Sequence, residues 1–131
     1  MQKEIIRVEP IATFAERRGV KVPAAVRHDG LVFVSNLPPY DFETGAILEA
    51  PLARQVEVVI KQMRLCLEAA GSSMDDILRC GLYIDDPAHF QTVETIYNQH
   101  FPDNPPARTL LFGSQWHGPF HVEIDCIASV S

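Results

Sequence analysis

The chain has 131 residues, 47% of them hydrophobic, which suffices for one packed core and is too short for two ordinary domains, so a single domain over residues 1–131 is expected. Against 17 Asp and Glu stand 11 Lys and Arg, a formal net charge of −6, and only Arg17 and Arg18 are adjacent, so a phosphate backbone would be repelled and no nucleic-acid partner is expected. The start MQKEIIRVEP lacks the pattern of a secretory signal, no apolar run approaches a membrane span, and Cys66, Cys80 and Cys126 form no CxxC pair; these features predict a cytoplasmic protein with no membrane partner and no disulfide.

Taken in chain order, EIIRV at residues 4–8 predicts a short first strand, and the polar stretch that follows holds neither period for long. GLVFVSN at 30–36 is a β-branched and aromatic run that predicts a strand, ended by the prolines and Gly45 of LPPYDFETG. Pro51 then opens a helix in which Leu52, Val56, Val59, Ile60, Met63, Leu67 and Ala70 share one face and Gly71 gives the stop. ILRCGLYI at 77–84 alternates, so Leu78, Cys80, Leu82 and Ile84 are expected on one side of a half-buried strand.

A second helix is expected after it, capped by Asp86, with Pro87 at its first position and Phe90, Val93, Tyr97 and Phe101 as its apolar stripe. PDNPP ends that helix, and ARTLLFG and FHVEIDCIASV predict two final strands around SQWHGP. The whole reads as an α+β domain with two helices packed on one face of a sheet; the other face is either wet or covered by another subunit, and the mix of Arg108, Glu123 and apolar neighbours expected on it favours the subunit.

Arg108 follows two prolines, and Glu123 lies inside the last apolar strand pattern, so each places a full charge where burial is expected. A plain hairpin of the last two strands would set them opposite each other, about 5 Å apart at Cβ, but a subunit boundary could equally bring them together. His117 and His121 have an HxxxH spacing that makes a metal site on a helix; here they bracket a turn, so no metal is expected.

The segment PARTLLFGSQWHGPFHVEIDCIA resembles the C-terminal signature of the RidA/YjgF family, also called L-PSP endoribonuclease-like, in which a PAR tripeptide precedes a VEIEA-like strand. VFVSNLPPYDFETG resembles the family's SGQ-type loop, and QVEVVIKQMRLCLEAAGSSMDDILRCGLYIDD and FQTVETIYNQHF resemble its helices and intervening strand. The resemblance implies a chorismate-mutase-like fold with a mixed sheet, a homotrimer shaped as a barrel, and clefts between subunits. It also implies hydrolysis of a small carboxylate-bearing enamine or imine to a 2-oxo acid and ammonia, with Arg108 and Glu123 as the catalytic pair and no cofactor. The alternative is a non-catalytic protein of the same fold that binds small 2-oxo acids.

Those residue types suit that chemistry. The planar, permanently charged fork of Arg108 can grip a substrate carboxylate at two points. Glu123 can deprotonate a water for attack on the C=N carbon and return the proton to nitrogen, if burial raises its pKa toward neutrality. Ser35 and the backbone amide of Asn36 are expected to donate hydrogen bonds to the substrate, and Glu94 is a candidate for the cleft wall. The sequence departs from the family pattern in the region VKVPAAVRHDG, which lacks a tyrosine, and at Leu110, Glu94 and Asn36, which replace a cysteine, an asparagine and a glycine.

Overall fold

A computed structural model describes residues 2–116 and 118–130. Its strands are β1 (Glu4–Ile6), β2 (Ala25–His28), β3 (Leu31–Val34), β4 (Ile77–Ile84), β5 (Ala107–Phe112) and β6 (Val122–Ser129), and its helices α1 (Ile11–Arg17), α2 (Leu52–Ala69) and α3 (Phe90–Gln99). They make one six-stranded sheet in the order β1-β2-β3-β6-β4-β5. Only the β4–β5 pair is parallel. Because α3 connects two parallel neighbours, it must cross over a sheet face, and α2 makes the matching crossover from β3 to β4. α2 and α3 pack on each other and cover the same face. No helix among the described residues is long and apolar enough to cross a membrane.

The core lies between α2, α3 and the sheet, where Val56, Ile60, Met63 and Leu67 of α2 meet Val32, Leu82, Ile84, Val122, Ile124 and Cys126. The predicted α2 stripe is thus the buried one, although Leu52 at its start is only half-buried. The same helix also buries two amides that the apolar pattern did not single out. Gln62 accepts from the Tyr40 N–H at 2.8 Å and donates to the Pro38 carbonyl at 2.9 Å, while Gln55 donates to the Ala50 carbonyl and accepts from the His121 N–H, both at 2.9 Å. These amides, each both donating and accepting, tie the loop after β3 and the start of β6 to the helix.

Locally the structure adds two elements, corrects the place of Leu78 and decides between the two arrangements open for the last two strands. β2 and α1 arise from the stretch that shows no sustained period. β2 pairs with β3 through a two-residue turn in which Asp29 and Gly30 both take positive φ, 50° and 78°, the turn that suits the twist of a hairpin. α1 is only seven residues long; the Glu9 carboxylate just before it accepts the Thr13 N–H at 3.0 Å, and tertiary contacts hold the rest: Ile11, Phe14 and Ala15 are buried, with the Phe14 ring 5.5 Å from Tyr40. Leu78 does not join Cys80, Leu82 and Ile84, because a register irregularity between Ile77 and Arg79 turns it outward, 51% exposed, and buries Ile77 instead. The last two strands are not a hairpin, since β4 stands between them.

Candidate active site

Register decides where the charges go. Glu123 pairs with Tyr83 across β4–β6, whereas Arg108 pairs with the buried Cys80 across β4–β5. Side chains alternate along β4, so residues three apart face opposite ways, and Glu123 and Arg108 lie on opposite faces of the sheet. Within one chain the sheet separates them.

Glu123 is 5% exposed and forms part of the wall of a cleft of about 820 Å³. Apolar residues of β1, α1 and the chain after it, among them Ile5, Val8, Ala12, Val20 and Val22, line one side, and Ser35, Asn36, Leu37, Tyr40, Trp116 and Phe120 the other. The Asn36 side-chain amide donates to Glu123 Oε1 at 2.6 Å. Burial pushes the Glu123 carboxyl up to about 7; the hydrogen bonds from Asn36 and Trp116 and the charge of Arg18 pull the other way and are outweighed. A carboxyl in that range can both take and give a proton near neutral pH. Trp116 stacks on Phe120 with ring centroids 5.0 Å apart, a flat apolar lip beside the carboxyl.

Ser35 also lines the cleft, but its hydroxyl already donates to the Pro23 carbonyl at 2.8 Å and its N–H to Ala24. Its hydroxyl hydrogen is therefore engaged, and Ser35 acts on the chain by holding the start of β2 against the end of β3. The group of Asn36 that meets Glu123 is the side-chain amide, which the sequence reading had not assigned.

Arg108 lies on the helix side of the edge strand β5. Its side chain is 26% exposed, its Nη1 stands 2.8 Å from Glu94 Oε2 of α3, and its guanidinium carbon lies 5.3 Å from the centre of the Tyr97 ring. Glu94 is fixed in turn by Asn98, which donates to Oε1 at 3.1 Å. By distance the Arg108–Glu94 contact is an ion pair, yet Oε2 receives no hydrogen bond of good geometry, so the donor fork is not consumed by it. Tyr97, expected as a packing residue of the helix stripe, is buried and also supplies the aromatic surface under Arg108.

The structure thus divides the expected residues into two separate groups: Glu123, Asn36 and Ser35 at the cleft, and Arg108 with Glu94 at the β5 edge. Sequence reasoning missed the walls supplied by α1 and β1, which carry no motif, and the amides of Gln55 and Gln62, which lie inside an apolar pattern. It also missed Asp85, whose carboxylate joins His89 and His121. His117, the other half of the HxxxH spacing, lies outside the described residues.

The family model described as Endoribonuclease L-PSP matches residues 20–130. The chain belongs to the RidA/YjgF family. Among curated relatives, a RutC family protein of Saccharolobus solfataricus is 32% identical, with 98% of this chain and 99% of that protein covered. The chloroplastic Reactive Intermediate Deaminase A of Arabidopsis thaliana is 31% identical, with 81% of this chain and 57% of the relative covered. Among solved structures, the YEO7 protein of yeast superposes with a TM-score of 0.87 at 23% identity, covering 99% of this chain and 100% of that one, which shows the fold. The RidA/YjgF fold accounts for the topology found here, including the strand β6 inserted between β3 and β4.

Proposed function

We propose that this RidA/YjgF protein is a cytoplasmic homotrimer that hydrolyses a small carboxylate-bearing enamine or imine to a 2-oxo acid and ammonia. The observation that carries the reading is the buried Glu123 carboxyl, presented to an open cleft and hydrogen-bonded by Asn36. A relative bearing the name Reactive Intermediate Deaminase A supports the reaction class. The open sheet face supports assembly, because exposed Phe33 and Leu111 share it with Tyr83, Ile127 and Asp125.

In the trimer, the β5 edge of one subunit closes the cleft of its neighbour. Arg108 then holds the substrate carboxylate, and Glu123 of the adjacent chain faces the C=N carbon. Glu123 takes a proton from water as the oxygen attacks that carbon, and the proton passes to nitrogen. The carbinolamine collapses as Glu123 carries the hydroxyl proton on to the amino nitrogen, the C–N bond breaks, ammonia leaves and the carboxylate is regenerated. An enamine first gains a proton at carbon and gives one up from nitrogen to become the imine. The imine carbon is already electrophilic, so no cofactor is needed.

Freshly generated 2-aminoacrylate, followed by release of 2-oxo acid and ammonia, tests the reading. Hydrolysis by wild-type protein that Arg108→Ala or Glu123→Gln abolishes supports it, and indistinguishable rates for the three proteins would reject it. A second reading, a non-catalytic 2-oxo acid binder, is favoured by the departures from the family pattern, no tyrosine in VKVPAAVRHDG and Leu110 in place of the cysteine. It predicts saturable thermal stabilisation by pyruvate with no turnover across an imine panel.

A further inference from the structure

Asp85, the first residue beyond β4, stands between two imidazoles. Its Oδ1 lies 2.8 Å from His89 Nδ1 and its Oδ2 lies 2.6 Å from His121 Nδ1. The two rings are 4.7 Å apart at their centroids, and one ligand atom from each of the three residues fits within 4.8 Å of the others. All three side chains are partly open to solvent, 26%, 32% and 40% exposed for Asp85, His89 and His121, so an ion can reach them.

The backbone under the cluster is fixed from several directions. The Asp85 N–H donates to the His121 carbonyl at 3.2 Å, continuing the β4–β6 ladder. The His121 N–H donates to the buried Gln55 of α2. His89 closes a 3₁₀ turn, Pro87–His89, that the Asp86 side chain caps by accepting the Ala88 N–H at 2.8 Å. None of these three residues takes part in the proposed hydrolysis.

We propose that Asp85, His89 and His121 form a binding site for a zinc-class divalent ion. Two imidazole nitrogens and one carboxylate oxygen are a ligand set that zinc accepts, with water completing a tetrahedron. Neighbouring ligands in such a tetrahedron are about 3.3 Å apart, given metal–ligand distances of about 2.0–2.2 Å. The Asp85 oxygen that binds the ion keeps one of the two short Asp85–His contacts as a ligand pair, which opens by roughly half an ångström as the ion replaces the shared proton. The donor set is one carboxylate and two imidazoles, a combination that favours a dication over a monovalent ion. The buried thiols of Cys66, Cys80 and Cys126 do not compete, as burial keeps each protonated.

The test uses the full chain without a histidine tag, dialysed against chelator and then titrated with Zn²⁺ against a chromophoric competitor. Wild type is expected to take up about one zinc per chain, and Co²⁺ in its place is expected to give the visible spectrum of a tetrahedral site without thiolate ligands. Asp85→Asn and the double variant His89→Gln/His121→Gln should weaken uptake by at least about tenfold, while His28→Gln, on β2, leaves it unchanged. Circular dichroism checks that the variants fold. If they do not, ring-nitrogen NMR of the wild type decides, with zinc expected to shift the His89 and His121 signals. Uptake by wild type below about a tenth of an equivalent at micromolar free zinc would overturn the proposal. Full uptake by folded Asp85→Asn and His89→Gln/His121→Gln, or zinc shifts confined to other histidines, would overturn it as well.

Discussion

If one chain supplies Arg108 and its neighbour supplies Glu123, two inactive variants should repair each other. The sheet holds these residues on opposite faces, Arg108 opposite Cys80 and Glu123 opposite Tyr83, so neither chain can complete its own site. In a ring of three, each cleft takes Glu123 from one subunit and Arg108 from the next. Any trimer that mixes Arg108→Ala and Glu123→Ala chains then contains one cleft in which both intact residues meet. Mixed trimers purified with two different tags should show about a third of wild-type turnover per trimer, and trimers of either variant alone should show almost none. Random refolding of an equal mixture should restore about a quarter of all clefts, since each half-site is intact half the time. The assay is imine hydrolysis at fixed trimer concentration, with sedimentation confirming the assembly. Mixed trimers as inactive as their parents would refute the division of the site between chains.

Other consequences follow from particular contacts. A Cβ at Gly81 would meet the Asp125 carboxylate and the Tyr83 hydroxyl, two groups that bond to each other at 2.8 Å, while Asp125 also accepts the Gly81 N–H at 2.9 Å. Gly81→Ala should therefore cost about 1–3 kcal/mol in urea denaturation, and a loss below about 0.5 kcal/mol would contradict that packing. Gly30→Ala meets no atom within 4 Å, so its cost is backbone strain alone at φ 78°, about 1 kcal/mol by the same measurement; a stabilised variant would be inconsistent with the turn. Burial pushes the Cys66 thiol up to about 12 and the Cys80 thiol up to about 11, and Cys126 higher still. Native protein at pH 8 should leave all three unreacted with a thiol-exchange reagent and expose them on denaturation; rapid native labelling of any one would show a thiol more open than the structure allows.

Much of the framework was legible because it rests on long periodic segments. The stripes of α2 and α3 and the alternation of β6 are direct records of burial, and the structure places Val56, Met63, Val93 and Tyr97 inside as their spacing implies. Shorter elements escaped because their stability comes from tertiary contacts. α1 depends on Phe14 packing against Tyr40, which no local window contains. β2 did leave a readable mark, the Asp-Gly turn before a β-branched run, whose weight as a hairpin signal exceeds that of the polar residues around it.

The order of strands was not legible from β5 and β6 alone. A hairpin and a parallel crossover leave the same alternation in each strand, and only the pairing of β5 with β4 separates them. The candidate site shows the same division. Arg108 and Glu123 stood out as charges in apolar patterns, and Glu94 does reach Arg108. Asn36 was placed at the site through its main chain, while its side chain is the partner of Glu123. Asp85, His89 and His121 lie 4 and 32 residues apart in sequence and share no motif spacing, so only the end of the β4–β6 ladder brings them together.

The most direct test of the account is the rate at which chelator-treated wild type and Glu123→Gln hydrolyse a freshly generated imine under saturating conditions. Gln keeps the shape of the side chain and the bond from Asn36 but cannot carry a proton between water and nitrogen. The account predicts that kcat falls by about 10²–10⁴ while binding of a short 2-oxo acid is largely kept. A Glu123→Gln protein with wild-type kcat would contradict it.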